Sequence, residues 1–563
     1  MLAFPIFVYI HSCYCPMKHI RLFLLLLGLF APATSWPQPA YTQPEVDVLH
    51  YQFSLTLSDS SNQIQGEVTI RFNRQPQRDS VWFDLVGRSA DTSRYGMRVK
   101  AVRLGENQSV PFTHRSNRVF VSLPKTNSGQ QEITISYEGV PAKGLIISRN
   151  KFGERTFFGD NWPNNARYWL AVVDHPSDKA TCAFRVTAPA HYRVIANGKL
   201  VAQQDLPDNR RLTHWHESVP IPTKVMVIGA ARFAVEPVGQ VDGIPVESWL
   251  FPNDSSRGVV DYRPAKDILA YFVEYIGPFP YEKLANVQSK TSFGGMENAS
   301  CIFYNEKMIA GRQNLPIERV VAHEIAHQWF GDSATEADWS QIWLSEGFAT
   351  YCSLLYLEHA YGRDTLNRYL NEDKGQIFRF VAQRPGSTVV QTSTRDLTAL
   401  LNPNSYQKGG WVLHMLRYEL GDDAFRRGIR AYYQRFRDGN ARTSDFQAIM
   451  EQVAGRSLNQ FFRQWLYEPA YPVVTWTWQY NPAKKAVVIT AQQKPAVQGA
   501  TARKPFALPL VFSFLDAAGR EVFRSGRLRF SRSTQQFTIP VRQKPATIVP
   551  DPDNGVLMKI SRL

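Results

Sequence analysis

The stretch VAHEIAHQWFGD, Val321 to Asp332, constrains this chain more than any other. His323 and His327 stand four residues apart, so on a helix they share one face and can aim imidazole nitrogens at one ion. Glu324 projects to the neighbouring side, where it can reach a metal-bound water without ligating the metal. Pro316 suits the first turn of such a helix and Gly331 its stop. A catalytic zinc keeps three protein ligands and an open position. Glu346, in WLSEGFATY on the next expected helix, can complete the set if the two helices form a hairpin. By spacing alone Asp332, Glu336, Asp338 and Glu358 compete for that place. Asp332, just past the expected helix stop, suits a hydrogen-bonding partner behind a ligand.

The chain around this motif has 563 residues, enough for three or four domains. With 44% apolar and 20% charged residues it is globular rather than disordered or fibrous. The net charge of +15 is spread along the chain, with no block rich in Lys and Arg in the mature region. That pattern describes a soluble basic protein and argues against a nucleic-acid partner. From Met17 the sequence MKHIRLFLLLLGLFAPATS has a basic start, a short apolar run and an Ala31-Pro32-Ala33 cleavage pattern. The expectation is a signal peptide within residues 1–35, with Met17 as the true start. The mature protein is then exported, periplasmic or secreted, without stable membrane insertion. The alternative is an uncleaved N-terminal anchor helix. Cys13 and Cys15 fall in the leader, which leaves Cys182, Cys301 and Cys352 as buried free thiols rather than a disulfide framework.

The periodicities predict a multidomain α+β chain. After a Pro/Gln linker over 36–44, Tyr51, Phe53, Leu55 and Leu57 alternate with polar residues, and Val68, Ile70 and Phe72 repeat the pattern. Such runs continue to about residue 235 without helical crossovers, so an antiparallel β-rich domain is expected over 45–240. Helical periods dominate from about 255 to 467, placing a mainly helical domain at 241–468. Helices are expected in IWLSEGFATYCSLLYLEHAYG, GGWVLHMLRYELG, DDAFRRGIRAYYQRF and TSDFQAIMEQVAG, the last with a Thr or Ser cap. Strand patterns return from Pro472, and residues 469–563 are read as a β-sandwich.

HEIAH, followed after eighteen residues by Glu346 in WLSEGFATY, resembles the gluzincin aminopeptidases of peptidase family M1, the group of aminopeptidase N and leukotriene hydrolase. GGMEN, Gly294, Gly295, Met296, Glu297 and Asn298, looks like that family's exopeptidase motif. Tyr406 in SYQKGG matches its catalytic tyrosine. The segments ARYWLAVVDHPSDKATCAFRVTAP from Ala166 and QWLYEPAYPVV from Gln464 are similar to its N-domain stretch and its passage into a third domain. The resemblance implies a thermolysin-like catalytic domain with one Zn2+ per chain, held by His323, His327 and Glu346. It also implies peptide substrates with a free N-terminus. Glu324 would act as general base on the zinc-bound water, Tyr406 would stabilise the oxyanion, and Glu297 would bind the substrate amine.

Two departures from the family pattern stand out. Where family members place a Gln or Glu as a second amine anchor, this chain has Trp162, with Asp160 or Asn161 as candidate substitutes. Asp174 and His175 are read as structural. The chain also ends after the third segment, which implies a short three-domain form with an open site. Two other readings are a zinc endoprotease or epoxide-hydrolysing relative, and a non-catalytic peptide-binding scaffold. Glu297 argues against the plain endoprotease, and the full set of His323, His327, Glu324, Glu346 and Tyr406 argues against the scaffold.

Overall fold

The computed structural model describes residues 46–75, 79–88, 94–105, 107–125, 129–392, 396–495 and 504–563. The leader and linker expected over 1–44, with Cys13 and Cys15, lie outside them. An eight-stranded sheet opens the described chain, in the order 199–206, 210–222, 179–189, 46–56, 64–74, 130–140, 96–104 and 108–109. The alternating residues Tyr51, Phe53, Leu55, Val68, Ile70 and Phe72 are all buried in its core. The sheet is antiparallel as expected apart from one pairing: Val46–Thr56 runs parallel to Lys179–Pro189, from His50 beside Thr181 to Thr56 beside Thr187. Parallel neighbours need a long connection. Here a succession of strands supplies it instead of a helix.

A four-stranded sheet (193–196, 228–231, 155–160, 144–149) leads into the middle region. Phe158 joins the two, its ring 5.4 Å from that of Phe303. Phe303 lies in a five-stranded sheet ordered 234–241, 244–250, 284–289, 301–305 and 295–296. This sheet stands at the start of a region that is otherwise mainly helical, as expected. The expected boundary at 240/241 falls inside a hairpin in which Val241 pairs Ile244. LANVQS is buried along its whole length and CIFYN along all but its last residue, so neither shows the alternation that marks a half-exposed strand.

The first helix of the site spans Leu315–His327, with the Asn314 side chain accepting from the Ile317 N–H (3.3 Å) at its start. It ends at His327, four residues before the expected stop at Gly331. There the chain turns back, and Phe330 bridges Ala334. The second helix, Trp343–Tyr361, closes at Gly362 with φ +82°, as its glycine predicts. Helices Gly409–Leu420, Asp422–Phe436 and Thr443–Ala454 follow the periodicity. Arg363–Gln383 is a further long helix. Thr443 is not the cap of its helix but its first residue, and its hydroxyl donates to Gln341 Oε1 (2.6 Å).

The C-terminal region is β-rich. A sheet of 534–540, 486–495, 472–481 and 559–562 faces shorter sheets, with the Trp476 and Phe512 rings 5.7 Å apart between them. Among the described residues no helix is long and apolar enough to cross a membrane. Cys182, Cys301 and Cys352 are buried free thiols.

Candidate metal centre and active site

His323 and His327 occupy the last turns of their helix, and Glu346 the first turn of the next. The two Nε2 atoms are 3.1 Å apart, and Glu346 Oε2 lies 3.4 Å from that of His323 and 3.3 Å from that of His327. Ligand bonds of about 2.0–2.1 Å at tetrahedral angles separate donor atoms by about 3.3 Å, so the trio matches the edges of a tetrahedral site. Glu346 Oε2 is buried without a hydrogen-bond partner, a state that a cation would satisfy. Burial alone would lower the His327 pKa, yet Glu297 and Glu346 drive it up to about 10. Burial would raise Glu346, yet the two imidazoles hold it well below the usual carboxylate range. The cluster is short of positive charge, and the residues present fit a bound cation.

The ring of His327 is oriented from behind. Its Nδ1 lies 3.1 Å from the Phe330 carbonyl and 3.1 Å from Ser345 Oγ. Donation from Nδ1–H to that carbonyl leaves the Nε2 lone pair for the ion. Asp332 does not take this part. It accepts from Gln328 Nε2 (3.0 Å), and its N–H donates to the His327 carbonyl (3.1 Å). The short turn after His327 puts the Phe330 carbonyl, rather than a side chain, behind the ring. The other competing carboxylates are engaged elsewhere. Glu336 is paired with the buried Lys224 (2.6 Å), Glu358 with Arg363 (2.7 Å) and Arg417 (2.5 Å), and Asp338 accepts from the Ser340 N–H (2.9 Å).

Glu324, one position from the first ligand, is buried at the wall of the same cavity. Burial raises its pKa well above the carboxylate norm; Glu297 and Glu346 add to the effect and His327 opposes it. The cavity, of about 220 Å³, is also lined by Gly294, Gly295, Met296, Glu297 and Tyr406. Tyr406 sits in a single π-turn, Asn404–Lys408, and stacks on the His323 ring at 5.8 Å. Burial raises the pKa of its hydroxyl well above the ordinary tyrosine value, and the charges of Glu346 and Glu297 add to the effect. Glycines bring these segments together: a Cβ on Gly347 would lie 2.9 Å from backbone atoms of Gly409, so the Glu346 helix and the Tyr406 turn meet backbone to backbone.

Gly295–Met296 forms the edge strand of the five-stranded sheet, antiparallel to Cys301–Asn305. Glu297 follows it, buried, with Oε1 lacking any hydrogen-bond partner. Gln328 fixes this loop to the metal helix: its Nε2 donates to the Glu297 carbonyl (2.8 Å) and its Oε1 accepts from the Ser300 N–H (2.7 Å). Asn298 is placed apart from the other four residues of the expected substrate set. It is fully buried and does not line the cavity, because the strand ends at Met296 and the chain turns inward to Cys301, whose N–H donates to the Asn298 carbonyl (2.9 Å). Gln328, Ser345 and Lys224 were not among the expected residues. Adjacency to His327 and Glu346 was a signal for the first two. Lys224 carries none, since it meets Glu336 from across 112 residues.

The chain matches the Peptidase M1 N-terminal domain over residues 47–225 and the Peptidase family M1 domain over residues 262–465. It belongs to peptidase family M1. The M1 chain is 29% identical to "Probable aminopeptidase 2" of Sulfurisphaera tokodaii over 397 residues, 67% of this chain and 50% of that protein. It is 27% identical to "Glutamyl aminopeptidase" of Mus musculus over 330 residues, 56% of this chain and 35% of that one. This M1 chain therefore spans half or less of the length of these curated relatives. Its fold is shared with Legionella pneumophila aminopeptidase A, solved in complex with aspartic acid: TM-score 0.78, 16% identity, 93% of this chain and 60% of that one.

Proposed function

We propose that the chain is a zinc-dependent aminopeptidase that removes N-terminal residues from peptides. One observation carries the reading: a buried carboxylate without a partner, on Glu297, shares a cavity with the His323, His327 and Glu346 trio. A substrate α-ammonium would satisfy Glu297, whereas the amide nitrogen of an internal bond would leave it unpaired. Zn2+ bound by the trio would supply Lewis acidity to the scissile carbonyl and to water.

The remaining work falls to side chains of this chain. Glu297 holds the amine, which places the first peptide bond beside the metal ligands. The edge strand at Gly295–Met296 offers backbone groups along which the substrate can lie extended. Glu324 accepts a proton from the attacking water and passes it to the leaving nitrogen. The Tyr406 hydroxyl donates to the oxygen on which negative charge develops.

Turnover of aminoacyl arylamides, compared with their N-acetylated forms, tests this reading. Only the free-amine substrates should be cut. Activity should vanish with chelator, return with zinc, and be lost in Glu324→Gln. Equal cleavage of blocked substrate would favour an endoprotease, and purified protein without zinc affinity would end the metal reading. The basic and apolar leader pattern after Met17 supports export; N-terminal sequencing of the protein recovered outside the cytoplasm would show a start near Ser35.

A further inference from the structure

The apolar residues that line the cavity beside the expected metal ligands name a substrate class. Trp162, Phe293, Met296 and Leu401 line it, and no Lys or Arg is among the lining residues. Trp162 is held firmly. Its carbonyl accepts from Asn165 Nδ2 (2.8 Å), and its ring meets Trp339 edge-on at 5.9 Å. The polar neighbours that could have replaced an amine anchor are spent on structure. Asn161 donates to the Thr223 (3.1 Å) and Met226 (2.6 Å) carbonyls and accepts from Trp169 Nε1 (2.8 Å). Asp160 accepts from the Ser292 N–H (3.1 Å), and neither residue lines the cavity. Lys224, a buried cation whose charge reaches Glu297, is committed to Glu336 (2.6 Å), and Arg319 is committed to Asp373 (3.0 Å).

We infer that Trp162, Met296 and Leu401 form an apolar subsite for the side chain of the first residue, and that the chain selects peptides beginning with uncharged apolar residues while rejecting acidic ones. The inference rests on the aminopeptidase reading above and adds the substrate class. Glu297 takes the amine, so the first side chain must turn to the remaining wall. An aliphatic or aromatic side chain there loses water against indole, thioether and isobutyl groups. An acidic side chain would enter a pocket that already holds Glu297, Glu324 and Glu346, with no Lys or Arg among the lining residues to pair it.

The test is kcat/KM of the full chain on arylamides of Leu, Met, Ala and Glu. Leu and Met should exceed Glu by about 100-fold or more, the scale of an unpaired charge in an apolar pocket. Trp162→Ala and, independently, Met296→Ala should each lower the Leu-to-Ala ratio about tenfold, the scale of lost apolar contact. Ratios within one preparation are insensitive to the fraction folded. Glu turnover equal to or above Leu overturns the inference while leaving the aminopeptidase reading intact. A Leu-to-Ala ratio unmoved in both variants overturns the assignment of the subsite. Absence of turnover on every free-amine substrate sinks the aminopeptidase reading, and this inference with it.

Discussion

A Cβ placed on Gly295 would lie 2.2 Å from Glu324 Oε1 and 2.4 Å from its Cδ. The side chain of Glu324 thus packs directly on the backbone of the edge strand Gly295–Met296, where glycine leaves room for it. Gly295→Ala should displace the carboxylate and lower kcat at least about 100-fold, the cost of misplacing a catalytic group by an ångström. Thermal unfolding should show the variant still folded, since the strand is an edge. Wild-type kcat in Gly295→Ala would refute the assignment of Glu324.

Ser345 sits 3.1 Å from Nδ1 of His327. Its removal leaves the Phe330 carbonyl as the remaining partner that steers the ring. Ser345→Ala should weaken zinc affinity about tenfold, at the low end of what such partners contribute. Competition with a metallochromic chelator measures this without any substrate. Unchanged affinity would assign the orientation of His327 to the carbonyl alone.

Lys224 and Glu336 form an ion pair with both side chains almost entirely out of solvent. Removing one partner strands the other. Lys224→Met should destabilise the fold by about 3–5 kcal/mol, read from denaturant midpoints. Adding Glu336→Gln should recover part of the loss, because the orphan charge is gone. A double variant no more stable than the single one would show that Lys224 acts through other partners.

His414 carries a pH dependence. Burial lowers its pKa to about 3, with Arg363 and Arg417 adding to the effect. Tyr351 OH lies 3.0 Å from Nδ1, and Nε2 lies 3.1 Å from the Asn554 carbonyl, so the neutral ring is fully bonded. Between the folded value and the unfolded value of about 6.5, the unfolded chain binds the proton and the folded chain does not. The stabilisation is therefore complete above about pH 6.5 and lost as pH falls towards 3, by a few kcal/mol. His414→Gln should flatten the fall of Tm between about pH 6.5 and 4. Parallel Tm profiles for variant and parent would rule His414 out as the source.

The features legible in the sequence are those written over short range. The spacing of His323 and His327 places both on one helix face, and Gly362 ends the following helix where periodicity says it should. The strands that escaped notice, LANVQS and CIFYN, are buried on nearly every side and so carry no alternation to read. The helix stop at His327 rather than Gly331 reflects a turn stabilised by the pairing of Phe330 with Ala334, which no propensity encodes.

The sequence by itself determined the chemistry on offer: two imidazoles and a base in one helical turn, and one carboxylate among several that could complete a metal site. Which carboxylate lies beside the two Nε2 atoms was decided in three dimensions, where Arg363, Arg417, Lys224, Gln328 and the Ser340 N–H engaged the others and left Glu346. The same holds for Glu297 without a partner, for Asn298 turned inward, and for Trp162 walling the cavity. Periodicity follows from bonds between near neighbours, whereas the charge balance of a buried site depends on segments a hundred residues apart that only the folded chain brings together.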